Sequence, residues 1–156
     1  NLLKLYNQNN KSIDLNNNYI GINSYGKIFI KKKENKVLDE IIFDKDTLLE
    51  DFILYYNSPD GDNSNSCIYL DTSEIMMPLR IRSLLPGDKI KVKNLNGSKK
   101  ISDIFIDCKV AEEKRSTYPI LVDSQNTVLW VPNLKKSQFS KDKSEKYDII
   151  IRCKAR

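Results

Sequence analysis

Residues 85–93 read LPGDKIKVK and residues 98–108 read SKKISDIFIDC, and these two stretches decide the predicted fold. A Pro-Gly pair is typical of a turn, and the alternation of lysine with apolar residues that follows it predicts a strand with three lysines on one face. In the second stretch, apolar side chains recur at i, i+3, i+4 and i+7 from Ile101 to Cys108. This spacing predicts an amphipathic helix of about ten residues with Ser98 as its N-cap residue.

The rest of the chain is predicted to be rich in strands. Apolar and β-branched runs predict one hairpin near the N-terminal end and another around Ser124-Gln125-Asn126. A second short helix is predicted at residues 111–115 and a loop at residues 57–66, while residues 46–51 fit either a strand or the start of a short helix. The predicted strands are residues 19–22, 27–30, 38–43, 52–56, 67–70, 79–82, 89–93, 120–123, 127–131 and 147–153.

These elements predict an α+β fold, in which a strand-rich mixed sheet or sandwich is covered by two short helices. The 156 residues suffice for one domain or two small subdomains. We expect a β-rich N-terminal segment at residues 1–70 and a C-terminal domain at residues 71–156, and leave open whether the two pack as one unit.

The composition excludes several kinds of chemistry. The chain has no histidine, which excludes His general bases, Ser-His and Cys-His nucleophile pairs and His metal ligands. Cys67, Cys108 and Cys153 have spacings that suit neither a disulfide framework nor a zinc site, so we expect reduced thiols in a cytoplasmic protein. No apolar run approaches the roughly 18 residues of a membrane span. The chain begins at Asn1 without a signal-peptide pattern, and we expect it to be part of a longer protein.

Charge is distributed unevenly along the chain. Residues 1–78 carry 8 lysines, no arginine and 12 acidic residues, whereas residues 79–156 carry 18 lysines and arginines against 9 acidic residues. Clustered cations favour a polyanionic partner, because they release counterions from a phosphate backbone. Two interpretations remain open: a surface that binds nucleic acid, and a solvated lysine surface in a chain whose composition is biased towards lysine, asparagine and isoleucine.

Three further patterns have both a functional and a structural interpretation. Residues 97–100 (GSKK), at the start of the predicted helix, are either an anion site or two exposed lysines beside a cap. Asp60, Asp62 and Ser64 resemble the start of a calcium loop, but the expected glycine and final glutamate are missing, which favours a surface loop. Trp130 is favoured as a core residue over a base-stacking platform. Neighbouring carboxylates lack a nucleophile or an apolar pocket, so no catalytic site is predicted.

The second half of the chain resembles a known family. It contains IRSLLPGDKI at residues 81–90, NGSKKI at residues 96–101, FID at residues 105–107, Arg115, and VLWVP at residues 128–132. In order and spacing these motifs are similar to the C-terminal domain of bacterial tRNA(Ile)-lysidine synthetase, with a resemblance that covers residues 78–137.

The chain departs from the family pattern at three positions. Asn94, Ala111 and Asn133 stand where the family usually has Gly, Pro and Gly. Asparagine is the next-best residue for a left-handed backbone conformation, so we expect both turns to be retained. Ala111 removes a preset helix start, which weakens the second helix slightly.

The resemblance implies a function in tRNA modification. The family's enzyme adenylates the wobble cytidine of an isoleucine tRNA with ATP and then attaches lysine, in an N-terminal domain with an S-G-G-x-D-S loop. This sequence has no such loop. By resemblance, the chain is the non-catalytic C-terminal fragment that binds the acceptor stem, with isoleucine tRNA and the N-terminal catalytic domain as its partners. No cofactor or metal is expected in the fragment, whereas the full-length ligase is expected to use ATP with Mg²⁺ in the cytoplasm, away from membranes.

A-form RNA presents a shallow minor groove, 2′-hydroxyls and phosphates, so we expect contacts from Lys and Arg with few base-specific hydrogen bonds. Arg82 and Arg115 follow from the family motif, either as contacts or as ion pairs that stabilise the motif, whereas the lysines follow from the charge distribution or the GSKK motif. The nine predicted RNA-binding residues are Arg82, Lys89, Lys91, Lys93, Lys99, Lys100, Arg115, Lys135 and Lys136.

Two other classes of function are weighed against RNA binding. One is a protein-interaction or dimerisation module of a larger enzyme, in which the acidic first half or the Trp130 hairpin contacts another domain or a second copy in a homodimer. The other is a small independent enzyme, which is disfavoured because no nucleophile in the sequence has a histidine base.

Overall fold

The computed structural model describes residues 12–14, 19–24, 27–32 and 37–156. The chain divides into two compact units, Asn1–Lys36 and Val37–Arg156. The described strands of the first unit form an antiparallel sheet in the order β1-β2-β3. Pairing of β2 with β3 confirms the predicted N-terminal hairpin. The bounds are β1 (Ser12–Asp14), β2 (Tyr19–Ser24) and β3 (Lys27–Lys32).

The second unit contains two antiparallel sheets and a hairpin. One sheet has five strands in the order β13-β12-β11-β8-β4, the other has four in the order β5-β6-β14-β7, and β9 pairs with β10. Two short helices, α1 and α2, and one 3-10 turn complete the described elements, which confirms the predicted strand-rich α+β fold. The bounds are β4 (Ile41–Ile42), β5 (Thr47–Leu48), β6 (Phe52–Tyr55), β7 (Cys67–Leu70), the 3-10 turn (Thr72–Glu74), β8 (Arg80–Arg82), β9 (Lys89–Lys91), β10 (Ser98–Lys100), α1 (Ile101–Asp107), α2 (Glu112–Arg115), β11 (Ile120–Val122), β12 (Val128–Val131), β13 (Lys135–Lys136) and β14 (Ile149–Ala155).

Strands β11 and β12 lie at the centre of the second unit, and all of their residues are buried. Leu121 and Trp130 belong to a hydrophobic cluster that also contains residues of β6, β7 and β14. Ile120 and Val122 belong to a second cluster, which contains Ile90 of β9 and the apolar face of α1. The unit therefore has three layers: the four-stranded sheet, the five-stranded sheet, and α1 with the β9–β10 hairpin.

Helix α1 begins at Ile101 and not at Ser98, so the predicted start is wrong. Ser98–Lys100 instead pair with β9 as strand β10. Gly97 has a φ of 129°, a conformation that glycine adopts readily, and it allows the chain to turn back along β9. The N-cap residue is Lys100, which makes no side-chain cap hydrogen bond. Pairing with β9 satisfies the backbone hydrogen-bonding groups of residues 98–100, and it takes the place of the expected serine cap.

The predicted apolar face of the helix is correct except at its end. Ile101, Ile104 and Phe105 are buried in the second cluster. Cys108 is the C-cap residue and is exposed. Because the helix ends at Asp107, Cys108 no longer continues the helical repeat, and its predicted place on the apolar face is wrong.

The two asparagines that replace family glycines both occupy left-handed turns. Asn94 and Asn133 each have a φ of 65°. The expectation that these turns are retained is confirmed. Ala111 is the N-cap residue of α2, and this helix forms without a proline at its start.

Several other predictions are confirmed with shorter bounds. The predicted strand at residues 38–43 is reduced to β4, and residues 46–51 contain strand β5, not a helix start. Residues 57–66 form neither strand nor helix.

The division into two domains at residue 70 stays a prediction. Strands β6 and β7, which precede residue 70, both pair with β14, which follows it. None of the helices in the described part of the chain has the length and apolar character needed to span a membrane.

The three cysteines are free thiols in different surroundings. Cys67 and Cys153 are buried, whereas Cys108 is exposed. Burial raises the pKa of the Cys67 thiol and raises that of Cys153 to about 12. A thiol that is both buried and protonated is a poor nucleophile.

We expect native protein treated with a thiol reagent at about pH 8 to react rapidly at Cys108 alone, because Cys108 is the one exposed thiol of the three. Colorimetric titration should give one thiol per native chain and three after unfolding, which is the number of cysteines in the sequence. The Cys108→Ser variant should show no rapid reaction. Rapid reaction of two thiols in native protein would contradict the burial of Cys67 and Cys153.

Candidate functional site

Three exposed lysines lie on one face of the β9–β10 hairpin. Lys89 and Lys91 alternate with the buried Ile90, and Lys100 is the cross-strand partner of Lys89. Directly paired residues of antiparallel strands place their side chains on the same face. No carboxylate of the described residues lies within 4 Å of these three ammonium groups. We call Lys89, Lys91 and Lys100 the basic strip.

Lys99 lies on the opposite face of the same hairpin, because it pairs with Ile90. Its Nζ donates a hydrogen bond to Asp107 at 2.5 Å, and this bond raises the pKa of Lys99. The side chain therefore ties β10 to the end of α1. Of the two interpretations of residues 97–100, the anion site at a helix N-terminus does not have the expected geometry, because residues 98–100 form a strand and Lys99 pairs with Asp107.

A basic cleft of about 570 Å³ follows the strip at the end of β9. It brings together three of the predicted residues, Lys93, Lys135 and Lys136. It also contains Lys141 and Lys143, which were not predicted, although the lysine-rich stretch 135–146 was a signal for them. The remaining residues that line the cleft are Asn63, Asn65, Tyr69, Val92, Asn94, Ser140, Asp142 and Ser144.

Two of the cleft lysines are engaged in ion pairs. Lys93 Nζ lies 2.8 Å from Asp142 Oδ1 and 3.9 Å from Glu145 Oε1. The hydrogen bond from Lys93 lowers the pKa of Asp142. Lys141 Nζ lies 2.5 Å from Glu74 Oε1, and this hydrogen bond raises the pKa of Lys141.

Lys136 is in a different state from its neighbours. Its side chain is partly buried, burial lowers its pKa, and the nearby charge of Lys93 adds to this effect. No carboxylate of the described residues lies within 4 Å of its ammonium group. Lys136 is therefore a partly desolvated cation that forms no ion pair with any residue of the described ranges.

Trp130 and Asn65 fix one wall of the cleft. Trp130 is fully buried, which confirms it as a core residue, and its Nε1 donates to the carbonyl oxygen of Asn65 at 3.1 Å. The Asn133 N–H donates to the same carbonyl at 2.9 Å, and Asn65 Nδ2 donates to the Leu134 carbonyl at 3.3 Å. These bonds attach the loop of residues 57–66 to the turn between β12 and β13.

Arg82 is buried within an ion-pair network, which is one of the two roles left open for it. Its side chain is 4% exposed, and its Nη1 and Nη2 atoms lie 2.7 and 3.0 Å from the two carboxylate oxygens of Asp88. Arg82 also donates to the Ser83 carbonyl and to Asn126 Oδ1. Asp88 in turn accepts a hydrogen bond from the Leu85 N–H at 2.7 Å, so the network holds the turn that leads into β9.

Arg115 also makes a hydrogen bond within its own part of the chain: its Nε donates to the carbonyl oxygen of Val110 at 3.0 Å. Neither Arg115 nor Arg82 lines the cleft.

The acidic side chains of the loop at residues 57–66 have partners within the protein. Asp60 lies 3.0 Å from Arg152 Nη1, and Asp62 accepts hydrogen bonds from Ser64, which lower the pKa of Asp62. Among the described residues, no cluster of three or more Cys, Asp or Glu side chains is arranged to hold a metal ion.

Comparisons with known proteins agree with the resemblance seen in the sequence. The family described as "TilS substrate C-terminal domain" matches residues 79–152. The tRNA(Ile)-lysidine synthase of Bacillus subtilis (strain 168) is 41% identical over 85 residues, which are 54% of this chain and 18% of that protein. The bifunctional protein TilS/HprT of Listeria monocytogenes serovar 1/2a is 32% identical over 150 residues, which are 90% of this chain and 23% of that protein.

A solved structure gives the same result. It is described as "Crystal structure of TILS C-terminal domain", and it superposes with a TM-score of 0.66 at 27% identity, covering 75% of this chain and 96% of that one. The chain spans about a fifth of the length of the curated relatives it matches.

We expect Arg82→Ala to lower the free energy of unfolding by about 3–5 kcal/mol, because it leaves the Asp88 carboxylate without its buried partner. Arg80→Ala is the matched control on the same strand, since Arg80 lies 3.8 Å from Glu40 and both side chains are at least one third exposed. That change should cost less than about 1 kcal/mol. Urea unfolding followed by circular dichroism measures both, and equal losses would contradict a structural role for the Arg82 pair.

Proposed function

We propose that this chain, whose residues 79–152 belong to the TilS substrate C-terminal domain family, holds isoleucine tRNA at its acceptor stem for a tRNA(Ile)-lysidine synthase. The observation that carries the proposal is a continuous row of lysines. The basic strip on β9 and β10 leads along β9 into the basic cleft. Five of these lysines have no carboxylate within 4 Å among the described residues: Lys89, Lys91, Lys100, Lys135 and Lys136.

The chemistry of the surface suits an RNA duplex. Lysine ammonium groups are point charges that bind phosphates without planar, bidentate recognition of a base edge. A-form RNA offers phosphates and 2′-hydroxyls across a shallow minor groove and is recognised mainly by its shape. The proposed phosphate contacts are Lys89, Lys91, Lys93, Lys100, Lys135 and Lys136.

Three of the nine predicted residues have a positioning role in this proposal. Arg82 holds the turn before β9, Lys99 joins β10 to α1, and Arg115 binds the backbone before α2. Each of them therefore maintains the shape of the surface on which the other lysines are displayed.

Catalysis belongs to another part of the proposed full-length protein. The sequence of this chain lacks the S-G-G-x-D-S loop of the family's ATP site. We propose that an N-terminal domain of the same polypeptide binds ATP with Mg²⁺ and attaches lysine to the wobble cytidine in the cytoplasm. The present chain contributes by holding the other end of the tRNA.

We expect the chain to bind an isoleucine-tRNA acceptor minihelix more tightly than the anticodon stem-loop, with an affinity that falls between about 50 and 200 mM salt. Replacement of Lys89, Lys91 and Lys100 by Gln should reduce the salt slope of log K by about three units, one for each phosphate contact. Fluorescence anisotropy with both RNAs measures these effects. A triple control with Lys45, Lys109 and Lys154 changed to Gln alters the net charge equally on exposed residues outside the strip and the cleft.

Equal effects of the two triple variants would contradict a specific role for the strip. Absence of RNA binding together with self-association that is insensitive to salt would favour the protein-interaction module. Sedimentation velocity of the same samples separates these outcomes.

A further inference from the structure

A second, largely apolar pocket lies at the start of β9, whereas the basic cleft lies at the end of that strand. Its volume is about 240 Å³. It is lined by the turn between β8 and β9, in which Leu85, Pro86 and Gly87 are exposed, and by Lys100 and Ser102 at the start of α1. The remaining lining residues are Leu84 and Asp88. We call this cavity the turn pocket.

The turn pocket is preformed, because hydrogen bonds fix the two segments that line it. The Asp88 N–H donates to the Leu85 carbonyl at 3.1 Å, and the Asp88 carboxylate binds both the Leu85 N–H and the buried Arg82. The Ile101 N–H donates to the Asp88 carbonyl at 3.1 Å, which joins the turn to the first residue of α1. A ligand that enters the pocket therefore needs to order little of the protein, which favours affinity.

The groups that line the turn pocket are available to a ligand. The Lys100 ammonium group has no carboxylate of the described residues within 4 Å, and the exposed Ser102 hydroxyl has no hydrogen-bond partner among them. A Cβ atom built on Gly87 would meet no atom within 4 Å beyond its neighbours in the chain, so the space beside this glycine is open. Leu85 is 48% exposed. The pocket thus combines accessible apolar surface with a cation and a hydroxyl.

An unpaired nucleotide matches this combination. The flat face of its base can lie on apolar side chains, its edge has donors and acceptors for a hydroxyl, and its phosphate can accept from an ammonium group. Leucine and proline are among the side chains that proteins place against bases. Lys89 pairs with Lys100 across the hairpin, so the pocket adjoins a second cation. This positive charge favours an anionic ligand over an apolar segment of another protein.

We propose that the turn pocket binds one unpaired nucleotide, with its base against Leu85 and Pro86 and its phosphate on Lys100. The inference rests on the proposed function, in which the basic strip holds an RNA duplex. In a tRNA acceptor stem, the unpaired nucleotides continue from the paired strand at its 3′ end. The turn pocket therefore takes a nucleotide of the single-stranded 3′ end, while the strip and the basic cleft hold the paired part of the stem.

Two acceptor minihelices test this assignment, one with the unpaired 3′ nucleotides and one with a blunt end. We expect the unpaired nucleotides to raise affinity about tenfold at constant salt, since stacking of one base on a protein has an effect of at least this order. Leu85→Ala should remove most of this gain and leave the affinity for the blunt minihelix within about twofold. The matched control is Leu95→Ala, in a turn outside the pocket, where the leucine is 65% exposed. Fluorescence anisotropy measures each combination.

Ser102→Leu tests the pocket from its other side. A leucine suits this exposed helical position and adds apolar bulk where the base is proposed to lie, so it should also remove the gain from the unpaired nucleotides. Ser116→Leu, at an exposed position of α2 outside the pocket, is the matched control. Thermal unfolding shows whether each variant folds. If Leu85→Ala does not fold, the comparison of the two serine variants decides.

A mononucleotide separates recognition of the base from recognition of the phosphate. We expect adenosine 5′-monophosphate, at constant ionic strength, to shift the ¹H–¹⁵N resonances of Leu85, Gly87 and Ser102, and inorganic phosphate to shift them much less. These shifts should be lost in Leu85→Ala and retained in Leu95→Ala. Equal shifts with both probes would mean that only the phosphate is bound, which would overturn the placement of a base in the pocket.

The inference is also overturned if both minihelices bind equally well, or if the two pocket variants keep the gain that their controls keep. In that case binding that depends on the basic strip would leave the proposed function intact. If neither minihelix binds, the proposed function fails, and nucleotide shifts that depend on Leu85 would still support the pocket, whereas their absence would overturn it too. Loss of self-association in Leu85→Ala, without any effect on RNA or nucleotide, would identify a protein contact and overturn the inference.

Discussion

The burial of β11 and β12 on both faces is the constraint on which the rest of the second unit depends. One face packs against the four-stranded sheet, and the other packs against α1 and β9. Because Ile90 of β9 is needed in that second cluster, the neighbouring Lys89 and Lys91 must face solvent. The exposed lysines are therefore a direct consequence of core packing. The buried ion pair of Arg82 with Asp88 then sets where β9 begins.

Much of this framework follows from short-range patterns in the sequence. The alternation in β9, the apolar runs of β11 and β12, and the helical spacing of Ile101, Ile104 and Phe105 all predict what the structure contains. The start of α1 does not follow from these patterns. Ser98 is a good N-cap residue by local rules, but its backbone pairs with β9 instead, and the helical spacing of the apolar residues does not reveal this strand pairing. The left-handed conformations of Asn94 and Asn133 were predictable because only a few residue types tolerate them.

The candidate site was predictable only in part, since it depends on which lysines have partners. The sequence predicts Lys99 and Lys100 equally as RNA contacts, although Lys99 binds Asp107 and Lys100 faces solvent. Likewise, Lys136 and Lys141 are five residues apart in a lysine-rich stretch, and of the two only Lys141 forms an ion pair within the described part of the chain. Tyr69 is buried in the wall of the cleft by long-range packing, and no sequence pattern predicts it there. Ion pairing thus separates lysines that maintain the fold from lysines available to a ligand.

The position of strand β13 in its sheet has a further consequence for two of the cleft lysines. It is the outer strand of the five-stranded sheet, it is two residues long, and both residues are lysines. An unpaired sheet edge is a template for strand addition by another chain, and short edges with lysine side chains oppose such pairing. Lys135 and Lys136 supply those side chains, and at the next residue the edge is already bridged, because Ser137 pairs with Val92. Exchange of both lysines for apolar residues would remove their charge from this short edge and favour pairing with a strand of a second molecule.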